Sequence, residues 1–346
     1  MAAPLLTGTR LLTGTRQTSV TSHDVARRAA VSQPTVSRAL RGDPHVAEAT
    51  RLRVQAAAAE LGYVASERGR SLATRSTRQI AMVADIRNAL YPVLVEPLHD
   101  RFAEHGLRMV LHAVRGDAES TSARILDGSV DGIVLTTTRV GSPLAGELLH
   151  RRLPFVELNR ISGHPRADGV AADNDGGARD MITMLVAEGH RQIGAVFGTP
   201  RASTSRDREA GARGALAAAG IELPDHRVAR GGFGYDDGER GLAAIMTGRS
   251  RPTAVFCIGD LVAIGALNQA RRMGLRVPQD VAVVGFDDLP MASWPMIELT
   301  TVRADLTAMA VAAADLLIRR LSDSSVPPRM TTFPTELVLR ATHQRR

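Results

Sequence analysis

The chain has 346 residues, of which 44% are hydrophobic, so it is long enough for one large domain and a smaller one. Its formal charge is +7, and all 43 basic residues are arginine. The lack of lysine excludes chemistry that needs a Walker lysine, a Schiff-base lysine or a lysine general base.

The single cysteine and the N-terminal residues bear on localisation. Cys257 alone cannot form an intrachain disulfide framework or a zinc site, so we expect a cytoplasmic protein. Residues 1–19 repeat the segment LLTGTR but lack the apolar core of a signal peptide. We interpret them as a disordered tail, produced by a mis-set start codon or a slipped duplication, or serving as a basic arm on DNA. No uncharged apolar run of roughly 18 residues exists, so we expect no membrane contact.

The segment from Val20 to Arg75 is unusually basic. It holds nine arginines and five acidic residues, and so carries +4 of the net charge of +7. A small basic module is what a phosphate-binding surface requires, although charge alone identifies no function. The function of the segment must therefore be inferred from its pattern of helix signals.

Two short helices are predicted close together in this segment. Thr21 can cap a first helix with Asp24 at its third position, and that helix should end near Ala30. Ser32 can cap a second helix, which tolerates Pro34 in its first turn. Two helices joined by a three-residue turn form a helix-turn-helix, whose second helix presents its N-terminal residues to the major groove.

A third helix is predicted from Val46 to Leu61, after Gly42-Asp43-Pro44 ends the second. Its apolar residues fall on one face, so the three helices can share a small core. A three-helix bundle that does not bind DNA is the alternative.

One string of motifs in this segment carries a resemblance to a known family. The motifs are Val20-Thr21, Asp24-Val25-Ala26, Val31-Ser32, Thr35-Val36-Ser37-Arg38-Ala39-Leu40, Thr50-Arg51, Val54 and Glu60-Leu61-Gly62-Tyr63. In order and spacing they resemble the lactose-repressor and galactose-repressor (LacI/GalR) family of transcription regulators. Because the match extends over the whole module, it is more specific than a helix-turn-helix pattern alone.

The resemblance implies DNA-binding roles for individual residues. Gln33 and Pro34 occupy the positions that most determine operator choice, and Arg38 is expected to reach a base edge, where its fork suits guanine. Phosphate contacts, which position the module without reading sequence, are implied for Ser32, Thr35, Ser37, Thr50 and Tyr63. Further expected DNA-binding residues are Thr21, His23, His45 and Gly69.

Residues 66–76 resemble the hinge of this family, a short helix that folds on DNA. Leu72 stands where the family inserts a leucine into the minor groove, which kinks the duplex. The departures from the family pattern are Ala65, Ser66 and Gly69. Because a glycine costs about 1 kcal/mol in a helix interior, this hinge should fold less readily. A flexible linker is the alternative. Ala47 also replaces a common capping serine, at a cost of ~1 kcal/mol.

From Gln79 onward, short apolar runs alternate with amphipathic stretches. The runs are Gln79 to Ile86, Leu107 to Ala113, Gly132 to Thr136, Pro154 to Leu158, Gln192 to Phe197, Thr253 to Ile258 and Val281 to Phe286. This alternation predicts an α/β fold with doubly wound parallel sheets, in which ligands bind beyond the carboxyl ends of the strands. The polar residues at those ends are Asp85, Thr136, Asn159, Asp260 and Asp287.

The resemblance continues along this region. The motifs are Glu188-Gly189-His190-Arg191-Gln192-Ile193, Arg208 with Gly211, Asp260 with Ala263-Ile264-Gly265-Ala266, Val283-Val284-Gly285-Phe286-Asp287-Asp288, Leu299-Thr300-Thr301-Val302 and Thr335 to Arg340. They imply a two-lobed, periplasmic-binding-protein-like core. We therefore expect a helix-turn-helix domain at 20–65, a hinge at 66–76 and a core at 77–346. Lobe 1 should cover about 77–170 and 300–326, and lobe 2 about 171–299 and 327–342.

The resemblance also implies an effector site. Asn159, Arg208 and Asp287 match positions that hydrogen-bond the effector, and Phe233 lies where an aromatic ring packs on it. An arginine and a carboxylate together donate to and accept from neighbouring hydroxyls, which suits a sugar. A structural salt bridge is the alternative for Arg208 and Asp287. The predicted set also includes Asp85, Tyr91, Thr136 and Asp260, while Gly259 departs from a common asparagine.

The sequence thus favours a regulator over an enzyme. No apolar run is followed by a G-x-G-x-x-G turn, and the histidines lack metal-ligand spacing, so we expect no cofactor and no metal. A free-standing sugar-binding protein would need an export signal. We expect a repressor, with activator or dual action as the alternative, that binds a palindromic operator as a homodimer. A small-molecule effector, expected to be a sugar, would change operator affinity by closing the lobes.

Overall fold

The computed structural model describes residues 20–64, 76–115, 125–248 and 250–344. The chain divides into two compact units, Met1–Arg75 and Ser76–Arg346. The predicted tail at 1–19 and the hinge residues Gly69 and Leu72 lie outside the described residues.

The first unit contains the three predicted helices, which are confirmed with small shifts of their bounds. They are α1 (Ser22–Ala29), α2 (Gln33–Leu40) and α3 (Glu48–Glu60). The side chain of Thr21 accepts a hydrogen bond from the backbone N–H of Asp24, whose carboxylate accepts from Thr21 in return. Ser32 caps α2 through the N–H of Thr35. Ala47 gives α3 no side-chain cap, as its methyl group requires.

One valine from each helix is fully buried in the centre of this unit. Val25, Val36 and Val54 lie at the centre of a cluster that alanines of the same three helices complete. Helical spacing places these residues on one face of each helix, so the remaining faces are left to solvent.

The second unit holds two parallel sheets, which define its two lobes. Lobe 1 has a six-stranded sheet in the order β11-β5-β4-β3-β1-β2. Its strands are β1 (Gln79–Ala84), β2 (Arg108–Ala113), β3 (Gly132–Leu135), β4 (Phe155–Leu158), β5 (Asp168–Ala172) and β11 (Met330–Phe333). The helices of this lobe are α4 (Leu90–Glu104), α5 (Leu144–His150) and α10 (Leu306–Ser322). One apolar cluster packs α4 and α10 on the central strands, and a separate cluster packs α5 on them.

Lobe 2 has a four-stranded parallel sheet in the order β7-β6-β8-β9. Its strands are β6 (Ile193–Phe197), β7 (Val228–Arg230), β8 (Ala254–Cys257) and β9 (Ala282–Val284). The helices are α6 (Asn174–Ala187), α7 (Ser203–Ala218), α8 (Tyr235–Ile245) and α9 (Asp260–Arg272). Glycines let two of these helices approach closely, since a Cβ at Gly265 would collide with the backbone of Tyr235.

The connections between the lobes correct one predicted boundary. We expected residues 327–342 in lobe 2, but β11 pairs in parallel with β5 of lobe 1. Only the next strand, β12 (Thr335–Val338), leaves that sheet, to pair antiparallel with β10 (Thr301–Ala304). Chain order does not reveal which sheet a short, half-exposed edge strand joins, because that depends on a long-range pairing.

None of the helices in the described part of the chain combines the length and hydropathy that crossing a bilayer needs. The described residues also bring together no cluster of histidine, cysteine and carboxylate side chains that could hold a metal.

Candidate functional sites

The exposed face of α2 forms the first candidate site. Pro34 and Arg38 are exposed, while Val36 and Ala39 on the opposite face are fully buried. Among the described residues, the Arg38 guanidinium has no hydrogen-bond or ion-pair partner. The Nε2 of Gln33 donates to Ser22 Oγ at 3.2 Å, which ties its amide to α1. Arg38 is thus the charged group that α2 presents most freely.

The other residues expected to bind DNA surround this face, and none of those described is buried. Thr21 and Ser32 cap helices and leave their side chains exposed. His45 donates its backbone N–H to Asp43, and its ring nitrogen lies 3.0 Å from the same carboxylate. Half-exposed or exposed positions are also found for His23, Thr35, Ser37, Thr50 and Tyr63.

A cleft of about 620 Å³ between the two lobes forms the second candidate site. Lobe 1 contributes the turns after β1, β3 and β4 and the start of α4, while lobe 2 contributes the loops before α7 and α8. The carboxyl ends of the parallel strands therefore face the cleft, where ligands bind in such sheets. At its rim the N–H of Val140 donates to the carbonyl of Arg201 at 2.8 Å and joins the lobes.

Three of the predicted effector residues line this cleft: Asp85, Tyr91 and Phe233. Asp85 accepts hydrogen bonds from Arg87 Nε at 2.9 Å and Nη2 at 2.6 Å. Tyr91 is almost fully buried, and this burial raises the pKa of its hydroxyl. The tyrosine therefore stays protonated and can donate a hydrogen bond to a ligand.

The other five predicted residues are not among those that line the cleft, and several have structural partners. Thr136 donates to the carbonyl of Val83 at 2.8 Å. Asp260 accepts from the N–H of Leu289 at 2.7 Å and from the hydroxyl of Thr301. Burial raises the pKa of Asp260, and the nearby carboxylate of Asp287 raises it further. These partners hold the strand ends behind the cleft.

Arg208 and Asp287 form a buried ion pair. Arg208 Nη2 donates to Asp287 at 2.7 Å, Nε donates to Asn174 at 2.7 Å, and Nη1 donates to the carbonyl of Ile258. The guanidinium also stacks 3.6 Å from the ring centroid of Phe286. Burial raises the pKa of Asp287, and Arg208 opposes that rise. The salt bridge that the sequence left as an alternative is thus present.

The ends of β4 and β9 adopt backbone conformations that side chains rarely take. Asn159 has φ of 71°, and Asp287 and Asp288 have φ of 113° and 49°. Such residues cost of order 1–3 kcal/mol each and persist where surrounding structure imposes them. They lie next to the lobe boundary, where Asp288 also pairs with Arg340 at 2.7 Å.

The sequence did not predict one cleft residue that contacts both lobes. Arg160 follows the predicted Asn159, and its guanidinium lies 4.4 Å above the ring centroid of Phe233. It therefore connects lobe 1 to lobe 2. Its position two residues beyond the end of β4 was the available signal, since residues that follow a strand also reach this edge. Thr138, Arg139 and Arg201 were likewise missed and line the cleft.

Buried polar atoms without partners collect around the same cleft. Among the described residues, these include the Tyr91 hydroxyl, Thr138 Oγ1, Arg160 Nε and Ser205 Oγ. Buried polar groups are almost always hydrogen-bonded in folded proteins. Of these residues, Tyr91, Thr138 and Arg160 line the cleft.

A basic three-helix module followed by a two-lobed α/β core with a ligand-sized cleft defines a class of regulator, and comparisons with known proteins agree. Residues 21–66 match the family described as bacterial regulatory proteins, lacI family, and residues 182–343 match a periplasmic binding protein-like domain. The HTH-type transcriptional repressor CytR of Escherichia coli (strain K12) is 31% identical over 329 residues, 94% of this chain and 96% of CytR.

Solved structures extend the comparison to three dimensions. The structure titled as the lac repressor dimer bound to operator and the anti-inducer ONPF is 27% identical, with a TM-score of 0.84, over 94% of this chain and 100% of that one. The transcriptional regulator CelR–cellobiose complex is 31% identical, with a TM-score of 0.72, over 93% of this chain and 99% of that one. The chain belongs to the lacI family of bacterial transcription regulators, which places it among DNA-binding regulators and not enzymes.

Proposed function

We propose that this regulator represses transcription by binding a palindromic operator as a homodimer, and that a small molecule in the interlobe cleft sets its operator affinity. The exposed Arg38 on α2, which has no hydrogen-bond or ion-pair partner in the part of the chain that the structure describes, is the observation that carries the DNA-binding part. The relatives support repression, since CytR is a repressor and the lac repressor structure is a dimer on operator.

Different residues have different roles on DNA in this proposal. Arg38 reads a base through its planar fork, and Pro34 contributes apolar contact or shape recognition. The hydroxyl side chains at the ends of α2 and α3 hold phosphates, which positions the module. Gly69 and Leu72 would act in the hinge, as the resemblance implies.

Exposed apolar side chains on the surface of the two-lobed unit suit contact with a second copy of the chain. Val110 and Leu111 are exposed on β2, an edge strand of lobe 1, and Trp294 and Met296 are exposed in lobe 2. Natural proteins usually protect such an edge, so pairing with another chain is a reasonable use of it. Two copies related by a two-fold axis would present two copies of α2 to the two halves of a palindrome.

The cleft is the proposed effector site. Asp85, Tyr91 and Phe233 line it, while Arg208 and Asp287 form a buried ion pair behind it. The CelR–cellobiose complex supports a ligand of the sugar class. Coupling to DNA requires that the effector bind the DNA-competent and DNA-incompetent states with different affinities.

Selection of DNA from a random library by the purified full chain tests this proposal. We expect enrichment of one palindrome and, by light scattering, one dimer on each selected duplex. Enrichment of a single half-site bound by a monomer, or no enrichment over bulk DNA, would contradict the proposal. Random-sequence duplex of equal length is the control, because phosphate contacts alone would bind both equally.

A further inference from the structure

The interlobe cleft has more positive than negative side chains. Among the described residues, five arginines and three aspartates line it. Two of these aspartates already accept hydrogen bonds from cleft arginines, since Arg87 donates to Asp85 and Arg240 donates to Asp237. The other charged residues that line the cleft are Arg139, Arg160, Arg201 and the exposed Asp236. The positive charge therefore exceeds what the carboxylates of the cleft balance.

Arg160 changes the chemistry of the aromatic wall. Its guanidinium covers one face of the Phe233 ring at 4.4 Å, in a cation–π arrangement. That face is consequently not open to the apolar side of a neutral sugar. The contact with the Phe233 ring fixes the position of the Arg160 guanidinium. Its buried Nε has no hydrogen-bond partner among the described residues. The Phe233 ring was expected to stack on the ligand, but the Arg160 guanidinium, which carries N–H groups, covers one of its faces.

Acceptors behind the cleft are already engaged. Asp287 accepts from Arg208, and both carboxylate oxygens of Asp260 accept hydrogen bonds. The unpartnered atoms next to the cleft include the N–H of Arg160 and the hydroxyls of Tyr91 and Thr138. A neutral sugar has hydroxyls that must donate as well as accept, whereas an anionic group only accepts. Because hydroxyls also accept, it is the Arg160 N–H, together with the excess of positive side chains, that favours an anion in the cleft.

The start of α7 adds a further contribution of the same sign. Ala202, its N-cap residue, lines the cleft, and the first turn of the helix contains no acidic residue. The N-terminus of a helix carries partial positive charge and unsatisfied N–H groups. Together with Arg160 and the buried hydroxyls, it surrounds the cleft with donors.

We propose that the effector is an anionic sugar, which carries a phosphate ester or a carboxylate, and that Arg160 binds the charged group. This refines the ligand class of the proposed function and rests on it. The planar guanidinium can donate two parallel hydrogen bonds to either group, which gives such pairs both strength and orientation.

Calorimetric titration of the full chain with matched sugars tests the proposal. The probes are glucose against glucose 6-phosphate and glucuronate, and ribose against ribose 5-phosphate, at constant ionic strength with inorganic phosphate as a further arm. We expect at least one anionic sugar to bind about tenfold more tightly than its neutral partner. A preference for a phosphate ester or for a carboxylate supports the proposal and identifies the group.

Three glutamine variants locate the effect. Arg160→Gln should abolish the preference for the anion. Arg151→Gln removes an exposed arginine that pairs with Glu147 on α5, and Arg38→Gln removes one from the DNA module. Both should keep the preference. Because Arg160 is partly buried, circular dichroism and thermal melting of its variant accompany the titration.

The contrary results are equally defined. Neutral sugars that bind as tightly as their anionic partners, or no saturable binding of any anionic sugar up to millimolar concentration, would overturn the proposal. An anion preference that survives in folded Arg160→Gln would overturn the role of that residue, as would equal loss in Arg38→Gln. The DNA selection and the sugar titration measure different sites of the chain, so a titration without anion preference overturns this inference and leaves an enriched palindrome as support for the proposed regulator function.

Discussion

The helix module and the two-lobed core differ in how far local sequence determines their functional surfaces. In the module, every described residue that was expected to bind DNA is exposed or half-exposed. In the core, three of the eight expected effector residues line the cleft, and residues such as Thr136 and Arg208 have internal partners instead. On a short helix, the position of a residue in the sequence predicts which face of the helix its side chain lies on. At a strand end, the position predicts only that the residue lies near the ligand-binding edge of the sheet, and not whether its side chain reaches the cleft.

The reason lies in burial. An α2 side chain that faces away from Val36 meets solvent, and nothing competes for its hydrogen bonds. A polar side chain at a strand end in the core is buried, and buried polar groups require partners. Whether that partner is the protein or a ligand depends on residues distant in sequence, as Asn174 and Ile258 show for Arg208.

Replacement of Arg208 should have the largest effect and would sharpen this comparison. From sequence, we expect Arg208→Ala and Asp287→Ala to lose effector binding with the fold intact. The buried pair changes that expectation for stability, because Arg208→Ala leaves Asp287 in a buried site without its partner. We now expect a loss of about 3–5 kcal/mol in the free energy of unfolding, measured by urea denaturation.

Two further variants control this measurement. Arg206 is exposed on the same helix, so Arg206→Ala should change stability by less than about 0.5 kcal/mol. The double variant Arg208→Met with Asp287→Asn should recover part of the loss, since no buried charge is then left without a partner, while Asn174 and Ile258 still lack the donor that Arg208 supplied. Wild-type stability in Arg208→Ala would show that the pair is not structural and would weaken the contrast between the regions.

Arg38→Ala should lower affinity for the selected operator by about 1–3 kcal/mol and relax the preference at one base pair. The physical reason is loss of a base contact, with no change in the buried core of the module. Fluorescence anisotropy with operator and random duplexes measures both effects. Thr50→Ala serves as the control for positioning and should weaken both duplexes alike. Equal losses for Arg38→Ala on the two duplexes would reject base readout.

Asp131 provides a pH-dependent test of the core. Burial raises the pKa of this carboxyl, but hydrogen bonds from Ser76, Thr77 and Arg78 outweigh burial and leave the pKa below its ordinary value of 3.8. A lowered folded pKa means that Asp131 contributes stability above the unfolded pKa and loses it as pH falls through the folded pKa.

The Asp131→Asn variant should therefore be less stable than the wild type by about 1 kcal/mol at pH 7, after allowance for solvent screening. Urea denaturation from pH 7 down to pH 2 should show this difference closing below the ordinary carboxyl pKa. A difference that stays constant with pH would mean that the charge of Asp131 contributes nothing.

The smallest expected effect concerns the start of α3. Ala47 has extended backbone geometry at the N-cap position but no side chain that can accept from the helix. Ala47→Ser should stabilise the module by roughly 0.5–1 kcal/mol, because its hydroxyl would satisfy one N–H of the first turn. Thermal melting followed at helix wavelengths provides the measurement, with Ala49→Ser, inside the helix and exposed, as the control. A gain in both variants would exclude capping as the cause.

Much of the fold could be predicted from the sequence. All seven apolar runs that were predicted as strands contain one, from β1 at Gln79 to β9 at Val284. The strands β5, between β11 and β4, and β7, at the edge of its sheet, were not among these predictions. Val228–Arg230 is half-exposed, and Asp168–Ala172 contains an aspartate and a glycine, so neither shows the hydrophobic run of a central strand.

The cleft was predicted in position but not in composition. The rule for parallel sheets placed it beyond the carboxyl ends of the strands, which the structure confirms at β1, β3 and β4. Arg160 could not be recognised as the cleft arginine that stacks on an aromatic ring, because its partner Phe233 comes from the other lobe. Spacing in sequence contains no information on such a pair.

The sequence by itself determined the helices of the module, their outward faces and the family, because helix caps and apolar spacing act over only a few residues. Only the tertiary structure decided which sheet β11 joins, that Arg208 has Asp287 as its partner, and that Arg160 covers Phe233. These contacts join residues far apart in the chain. Each forms because burial requires every polar group to find a partner among whatever neighbours the packed lobes supply.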